Sequence, residues 1–574
     1  MSTEKSPLEK ARDAYKPKLP PVLSRGIGAL AIEESGPTTA AADAMEIENH
    51  FPKCFGLPVI RFVPGKGPRD SKALNVGVVL SGGQAPGGHN VITGLFDGIK
   101  AIHKDSRLFG FRGGPKGLFT KKYTELTAEF VEPYRNTGGF DMIGSGRDKI
   151  EKPEHLADCR KVADEMQLDA IVIIGGDDSN TNAAVLAEYF QKEGASTRVI
   201  GVPKTIDGDL KSEQIEISFG FDTTTKVYSE LIGNICRDAA SARKYWHFIK
   251  LMGRNASHVT LECALQTQPN ITLIGEEVSE KEYTLAQVVE QVANVVWRRA
   301  EAGLKFGICL VPEGLIEFIP EIRLLIKELN VILHDNKEYF DGIRGYENQI
   351  EFINQKLSRE SSYVFSTLPH RIQQQLLLDR DSHGNVQVSK IETEKLLIEQ
   401  VDEFLAERKA GMVQKARKEQ GDEAAEKLKD ELKKKFPFNT QSHFFGYEGR
   451  CSAPSNFDAD YTYSLGMTAS VLIAFGKTSY MCAVSNLAAP VSEWTAGGVP
   501  LVSLMNIETR KGKRVPVIRK ALVETNGAPF KAFAAKRDGW EMNDEFVFPG
   551  AIQYFGPAEV CDAPTKTLRL ERGR

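Results

Sequence analysis

A chain of 574 residues is long enough for two to four domains, each with a sizeable core. Lys and Arg number 73 against 77 Asp and Glu, so a net charge of −4 gives no general pull towards nucleic acid or an anionic membrane, and any anion site has to be built locally. No apolar run approaches the roughly 18 residues that span a bilayer, Met1–Pro7 is too polar for a signal peptide, and the eight scattered cysteines form no C-x-x-C pair or metal-like spacing.

Residues 1–70 mix proline, charge and small residues without periodicity and read as an N-terminal extension, with a helix or strand at Pro58–Phe62. It is expected to wrap the body or to mediate assembly. From Asn75 onward, short β-branched runs end in glycine-rich turns and lead into amphipathic stretches, the grammar of an α/β fold with mainly parallel sheets. Strands are predicted at Asn75–Ser81, Ala170–Ile174, Arg198–Val202, His247–Leu251, Ile271–Gly275 and Lys305–Val311. Helices are predicted at Val91–Ile102, Thr224–Ala239 and Leu285–Ala300.

These elements fit two doubly wound, Rossmann-like lobes. The first is assigned to residues 71–240, with part of the C-terminal region returning to it, and the second to 241–318 together with 441–505. Residues 319–440 read as a solvated helical insertion that ends in the Lys/Glu-rich stretch Glu407–Lys435, where apolar heptads are not sustained. Beyond Gln441 the α/β pattern resumes, with a small-residue helix at Tyr461–Phe475, a strand at Ser479–Ser485 and a C-terminal segment over 506–574.

Three turns carry the residue types that chemistry needs. Ser81-Gly82-Gly83-Gln84-Ala85-Pro86-Gly87-Gly88-His89-Asn90 joins a strand to a helix, so free backbone N–H groups and the positive helix end converge where a phosphate oxygen could sit; a tight turn explains the glycines equally well. Gly175-Gly176-Asp177-Asp178-Ser179 again follows an apolar strand, with Ser179 as a helix cap, Asp177 able to hold Mg²⁺ through water and Asp178 shaping a donor pocket. Pro203-Lys204-Thr205-Ile206-Asp207-Gly208-Asp209 offers a cation, a hydroxyl and carboxylates on one turn. Taken alone it could be a solvated turn. Together the last two turns supply what phosphoryl transfer to an alcohol requires: a proton acceptor, a cation and a metal-binding carboxylate.

The order of G-G-Q-A-P-G-G-H-N, G-G-D-D-S, P-K-T-I-D-G-D and Met252-Gly253-Arg254 resembles the phosphofructokinase family, over roughly residues 71–315 and 441–500. Asp178 and Lys204 make it similar to the pyrophosphate-dependent branch, long form. ATP-dependent members usually carry glycine at the position of Asp178, which leaves room for the nucleotide α-phosphate. The resemblance implies reversible phosphoryl transfer from pyrophosphate to the 1-hydroxyl of fructose 6-phosphate, a step of glycolysis and gluconeogenesis, with Mg²⁺ as cofactor.

Residue by residue, it implies that Asp207 is the general base, that Asp177 binds Mg²⁺ and that Lys204 stabilises the transferring phosphoryl group. Asp178 would exclude nucleotide by bulk and like charge. Gly82, Gly83, Arg147 and Lys204 would bind pyrophosphate, while Thr205, Ile206 and Asp207 would touch the sugar phosphate. Further substrate contacts are implied for Met252, Gly253, Arg254, Glu313, Tyr447, Glu448, Gly449 and Arg450, with Arg254 also among the catalytic groups. Arg254 and Arg450 suit bidentate phosphate recognition, and Glu313 can accept sugar hydroxyls. Lys244 and Tyr245 would reach the sugar phosphate of a neighbouring subunit. The expected state is therefore a homo-oligomer, a dimer or tetramer with shared active sites in clefts between lobes, cytoplasmic, without nucleic-acid or membrane partners. Two alternatives remain: an ATP-dependent phosphofructokinase that tolerates Asp178, and a non-catalytic regulatory subunit of the same family.

Overall fold

The computed structural model describes residues 4–68, 72–380, 386–510 and 513–574. Packing divides the chain into two units, Met1–Val227 with Tyr447–Ala521 and Ala551–Arg574, and Tyr228–Gly446 with Leu522–Gly550. In chain order the first unit starts with β1 (Leu30–Pro37), β2 (Pro58–Pro64), β3 (Asn75–Leu80), β4 (Arg107–Phe111), β5 (Tyr123–Glu125), β6 (Ala170–Gly175) and β7 (Arg198–Pro203). The second unit holds β8 (Trp246–Leu251), β9 (Ile271–Thr272), β10 (Gly307–Pro312) and β11 (Thr440–Phe445). The chain then returns to the first unit with β12 (Tyr480–Ser485), β13 (Thr495–Pro500), β14 (Met505–Arg510) and β15 (Lys513–Ile518).

The main sheet of the first unit runs β1-β2-β13-β12-β7-β6-β3-β4-β5. Its central strands, β12 to β4, are parallel. Every residue of β6 is buried, which is why such strands read as unbroken β-branched runs rather than alternating ones. Antiparallel strands close both edges, β5 on one side and β13, β2 and β1 on the other. From β3 the chain winds one way to β4, then returns past β3 to β6 and β7. The carboxyl ends of β3 and β6 therefore flank the point where the winding reverses, where open α/β sheets hold ligands.

The small-residue helix expected at Tyr461–Phe475 runs over Asn456–Ala474 and packs on helix Gly88–Ile102. Glycine permits this approach: a β-carbon on Gly94 would strike the Tyr463 carbonyl, and one on Gly466 the Val91 carbonyl.

The second unit has a parallel sheet in the order β11-β8-β10-β9. Its core takes in Trp246, Phe248 and Val311 from the sheet and Leu325, Phe365, Leu397 and Val401 from the later helices.

Four expectations change. Residues 447–521 belong to the first unit, because β12 pairs with β7 and the helix before it packs on Gly88–Ile102. The N-terminal extension is part of the first unit's sheet through β1 and β2. The helical insertion is not solvated along its length, since helices from Pro320 to Leu405 bury an apolar stripe; only the stretch beyond is mostly exposed. The strand expected at Ile271–Gly275 stops at Thr272, and Gly275 starts a helix with its N–H donated to Ser257 Oγ at 2.9 Å.

Candidate active site

Backbone hydrogen bonds bind the three predicted turns of the first unit into one assembly. Ser81 N–H donates to the Ile174 carbonyl (2.8 Å), Gly82 N–H to the Gly146 carbonyl (2.8 Å) and Lys204 N–H to the Gly175 carbonyl (2.9 Å). The second of these brings the loop Gly144–Arg147 onto the glycine turn. A β-carbon on Gly83 would lie 3.7 Å from Arg147 Nη2 and would collide with Arg450 Nη1, while one on Gly82 would lie 3.2 Å from Lys204 Nζ. Gly82 also has φ +84°, a conformation that suits glycine. Two guanidinium groups and an ammonium thus converge on a surface without side-chain bulk, an arrangement for an anion carrying several charges.

Lys204 is buried, and its ammonium is pushed down to about 8 by that burial and by the nearby positive charge of Arg450 and Arg147, against the opposing pull of Asp207 and Asp177. Those four partners locate the ammonium among the predicted metal-binding, base and donor-binding groups. Asp207 N–H donates to Thr205 Oγ1 at 3.1 Å, which turns the loop, and Ile206 packs into the core beneath it. Asp207 Oδ1 and Asp177 Oδ2 are buried oxygens that accept no hydrogen bond among the described residues. Oxygens left so in a low-dielectric site are costly unless a cation, water or substrate meets them.

Asp177 and Asp178 open helix Asp177–Lys192, where the helix dipole favours carboxylates. Ser179 does not cap this helix as expected; it lies inside the first turn, and its hydroxyl donates to Ser81 Oγ at 2.8 Å. Two cations escaped the sequence reading. Arg510, at the end of β14, donates to Asp178 Oδ1 at 2.6 Å, and Lys520 Nζ lies 3.6 Å from Asp177 Oδ2. Both come from the stretch read only as a C-terminal segment. The one local signal was the basic flanking of the strand Lys513–Ile518, which does not say what it faces.

Of the residues expected on the sugar side, Tyr447, Glu448, Gly449 and Arg450 form a short helix in the first unit. Thr224 Oγ1 holds this helix by donating to the Gly449 carbonyl at 3.1 Å, and Arg450 reaches the Gln84 carbonyl (3.4 Å) of the glycine turn; Tyr447 and Glu448 are exposed. Met252, Gly253, Arg254 and Glu313 lie in the second unit at the carboxyl ends of β8 and β10. Glu313 N–H donates to the Leu251 carbonyl (2.9 Å), and Glu313 Oε2 accepts from Gly253 N–H (3.1 Å). Arg254 is exposed beside this buried carboxylate. Lys244 and Tyr245 sit at the opposite, amino end of β8, with the Lys244 ammonium 5.1 Å from the Tyr245 ring centre. Six residues of strand, about 20 Å, separate them from Arg254.

A sequence profile described as "Phosphofructokinase" matches residues 75–365. The chain belongs to the phosphofructokinase family. Among its curated relatives, the "Pyrophosphate--fructose 6-phosphate 1-phosphotransferase" of Porphyromonas gingivalis is 55% identical, over 99% of both chains. The proteins of that name from Treponema pallidum (52% identical, 98% of this chain and 97% of that one) and Entamoeba histolytica (50% identical, 99% of both) are similar to it as well. Two solved phosphofructokinase structures share the fold at 15% identity. The pyrophosphate-dependent phosphofructokinase of Nitrosospira multiformis matches with a TM-score of 0.53 over 86% of this chain and 97% of its own. The one from Marinobacter aquaeolei matches with 0.52 over 82% and 93%.

Proposed function

We propose that this phosphofructokinase transfers a phosphoryl group reversibly from pyrophosphate to the 1-hydroxyl of fructose 6-phosphate, giving fructose 1,6-bisphosphate and phosphate. One observation carries the reading. The buried Lys204 stands among Asp177, Asp207, Arg147 and Arg450, with Asp178 one residue along the same helix turn as Asp177. The names of relatives at 50–55% identity agree with it.

In this assembly Gly82 and Gly83 leave space for pyrophosphate against the guanidinium groups of Arg147 and Arg450. Asp207 takes the proton of the sugar 1-hydroxyl, the oxygen attacks the distal phosphorus, and the bond to the bridging oxygen breaks to release phosphate. Lys204 meets the negative charge of the transferring group. Asp178 occupies the room a nucleotide would need, and two anionic groups close together repel.

Enzymes of this family generally need a divalent metal. Asp177 fits Mg²⁺, which binds through one or two carboxylates, water and substrate phosphates, whereas no group of three or more His, Cys, Asp or Glu among the described residues is arranged as a closed cage. Bound there, the ion would neutralise phosphate charge.

In the second unit, Arg254 offers a fork for the sugar phosphate and Glu313 an acceptor for sugar hydroxyls. Lys244 and Tyr245, at the far end of the same strand, would serve the sugar phosphate of another subunit, which makes the active form a homo-oligomer. No helix among the described residues is long and apolar enough to cross a membrane. The eight cysteines stand as free thiols, a state that suits the reducing cytoplasm.

Initial rates with fructose 6-phosphate and Mg²⁺, comparing pyrophosphate with ATP at matched concentrations, test the proposal. Turnover with pyrophosphate alone is expected. Turnover with ATP would overturn the role given to Asp178, and no turnover with either would favour a regulatory subunit.

A further inference from the structure

The hairpin β14–β15 lies against the donor-side helix Asp177–Lys192, where Ile518 N–H donates to Thr181 Oγ1 at 3.0 Å. This contact sets the end of β14 beside Asp178. Arg510 Nη1 donates to Asp178 Oδ1 at 2.6 Å, while Arg510 Nε lies 3.1 Å from Glu508 Oε2 on the same strand. The guanidinium is thus held at both ends. The Asp178 side chain is 54% exposed and would otherwise sample several rotamers; one charge-assisted hydrogen bond selects among them.

We infer that Arg510 is a positioning residue for donor choice: it fixes the direction of the Asp178 carboxylate and offsets its charge, so that pyrophosphate is admitted while the bulk that excludes nucleotide stays in place. The inference rests on the donor-side reading of Asp178. Arg510 acts through Asp178 and need not touch pyrophosphate itself.

A double-mutant cycle tests it, with pyrophosphate and fructose 6-phosphate KM values, kcat and Tm measured for each variant. In the wild-type background Arg510→Ala should raise the pyrophosphate KM about fivefold, the size expected for a part-exposed ion pair, without moving the fructose 6-phosphate KM or Tm. Arg510→Lys should recover most of the loss, because a single N–H makes the contact. With Asp178→Ala already present, which removes the acceptor, Arg510→Ala should change the pyrophosphate KM by less than about twofold. Equal effects in both backgrounds would mean that Arg510 acts on the donor directly, and no effect in the wild type would mean that the ion pair is idle; either overturns the inference. Asp178→Gly checks the underlying reading separately. If that variant keeps its donor preference, the donor role of Asp178 fails whatever the cycle shows, and the role of Arg510 fails with it.

Discussion

A β-carbon added to Gly83 would collide with Nη1 of Arg450. The obstacle is the far end of a flexible side chain, and φ at Gly83 is not positive, so Gly83→Ala should fold normally and displace the guanidinium. Arg450 would then lose its place on the glycine turn, where a charge-assisted contact to a bound anion would be worth about 1.5–3 kcal/mol. The pyrophosphate KM should rise about tenfold or more with Tm within a degree or two of wild type. An unchanged KM would show that the arginine is not a donor ligand.

Lys204 gives a pH dependence with opposite signs for activity and stability. Its ammonium titrates near 8, so kcat/KM for pyrophosphate, which reports the free enzyme, should fall as pH rises through about 8. In Lys204→Arg that limb should disappear from the accessible range, since guanidinium keeps its proton. For stability, the folded value lies below the ordinary 10.5, so between about 8 and 10.5 the unfolded chain binds a proton that the folded chain does not. Wild type should therefore gain stability relative to Lys204→Met as pH rises across that window. A loss there would contradict the buried ammonium.

The extension ahead of the first sheet should behave as part of its unit. Arg12 is buried, donates to Asn456 Oδ1 (2.6 Å) and the Pro454 carbonyl (2.9 Å), and lies over the rings of Tyr15 (4.2 Å) and Tyr554 (4.5 Å). Arg12→Ala removes charged hydrogen bonds worth about 2–3 kcal/mol and leaves their acceptors buried. The expected result is a fall in Tm together with faster proteolysis near the N-terminus. Proteolysis at the wild-type rate would mean that the segment is held elsewhere.

What the sequence disclosed follows from range. Strands β3, β6 and β7 were legible because their residues are buried on both faces, which imposes an unbroken apolar run. The three turns that backbone hydrogen bonds tie together were legible as turns because glycine and charge abut those runs. Pairing of β12 with β7 joins residues some 280 positions apart, and no local pattern carries it, so the later α/β stretch was assigned to the wrong unit. Arg510 and Lys520 were missed for the same reason: their partners, Asp178 and Asp177, are neighbours only in space. The helices over 320–405 carry an apolar stripe, but abundant charge on the other face made the segment read as solvated.

Asp207 gives the sharpest test of the chemistry. Its Oδ1 is buried and accepts no hydrogen bond among the described residues, while the N–H of the same residue is tied to Thr205 Oγ1, so the carboxylate is held by its loop and one oxygen is left for a substrate proton. The Lys204 ammonium is close enough for the two opposite charges to interact. A base acts in the transition state more than in the bound substrate, so Asp207→Ser should lower kcat by about 10²–10⁴-fold while calorimetric affinities for fructose 6-phosphate and pyrophosphate stay within a few-fold of wild type. If kcat falls only in proportion to lost sugar-phosphate affinity, Asp207 is a binding residue and the proton must leave by another route. Turnover near the wild-type rate would remove it from the mechanism altogether.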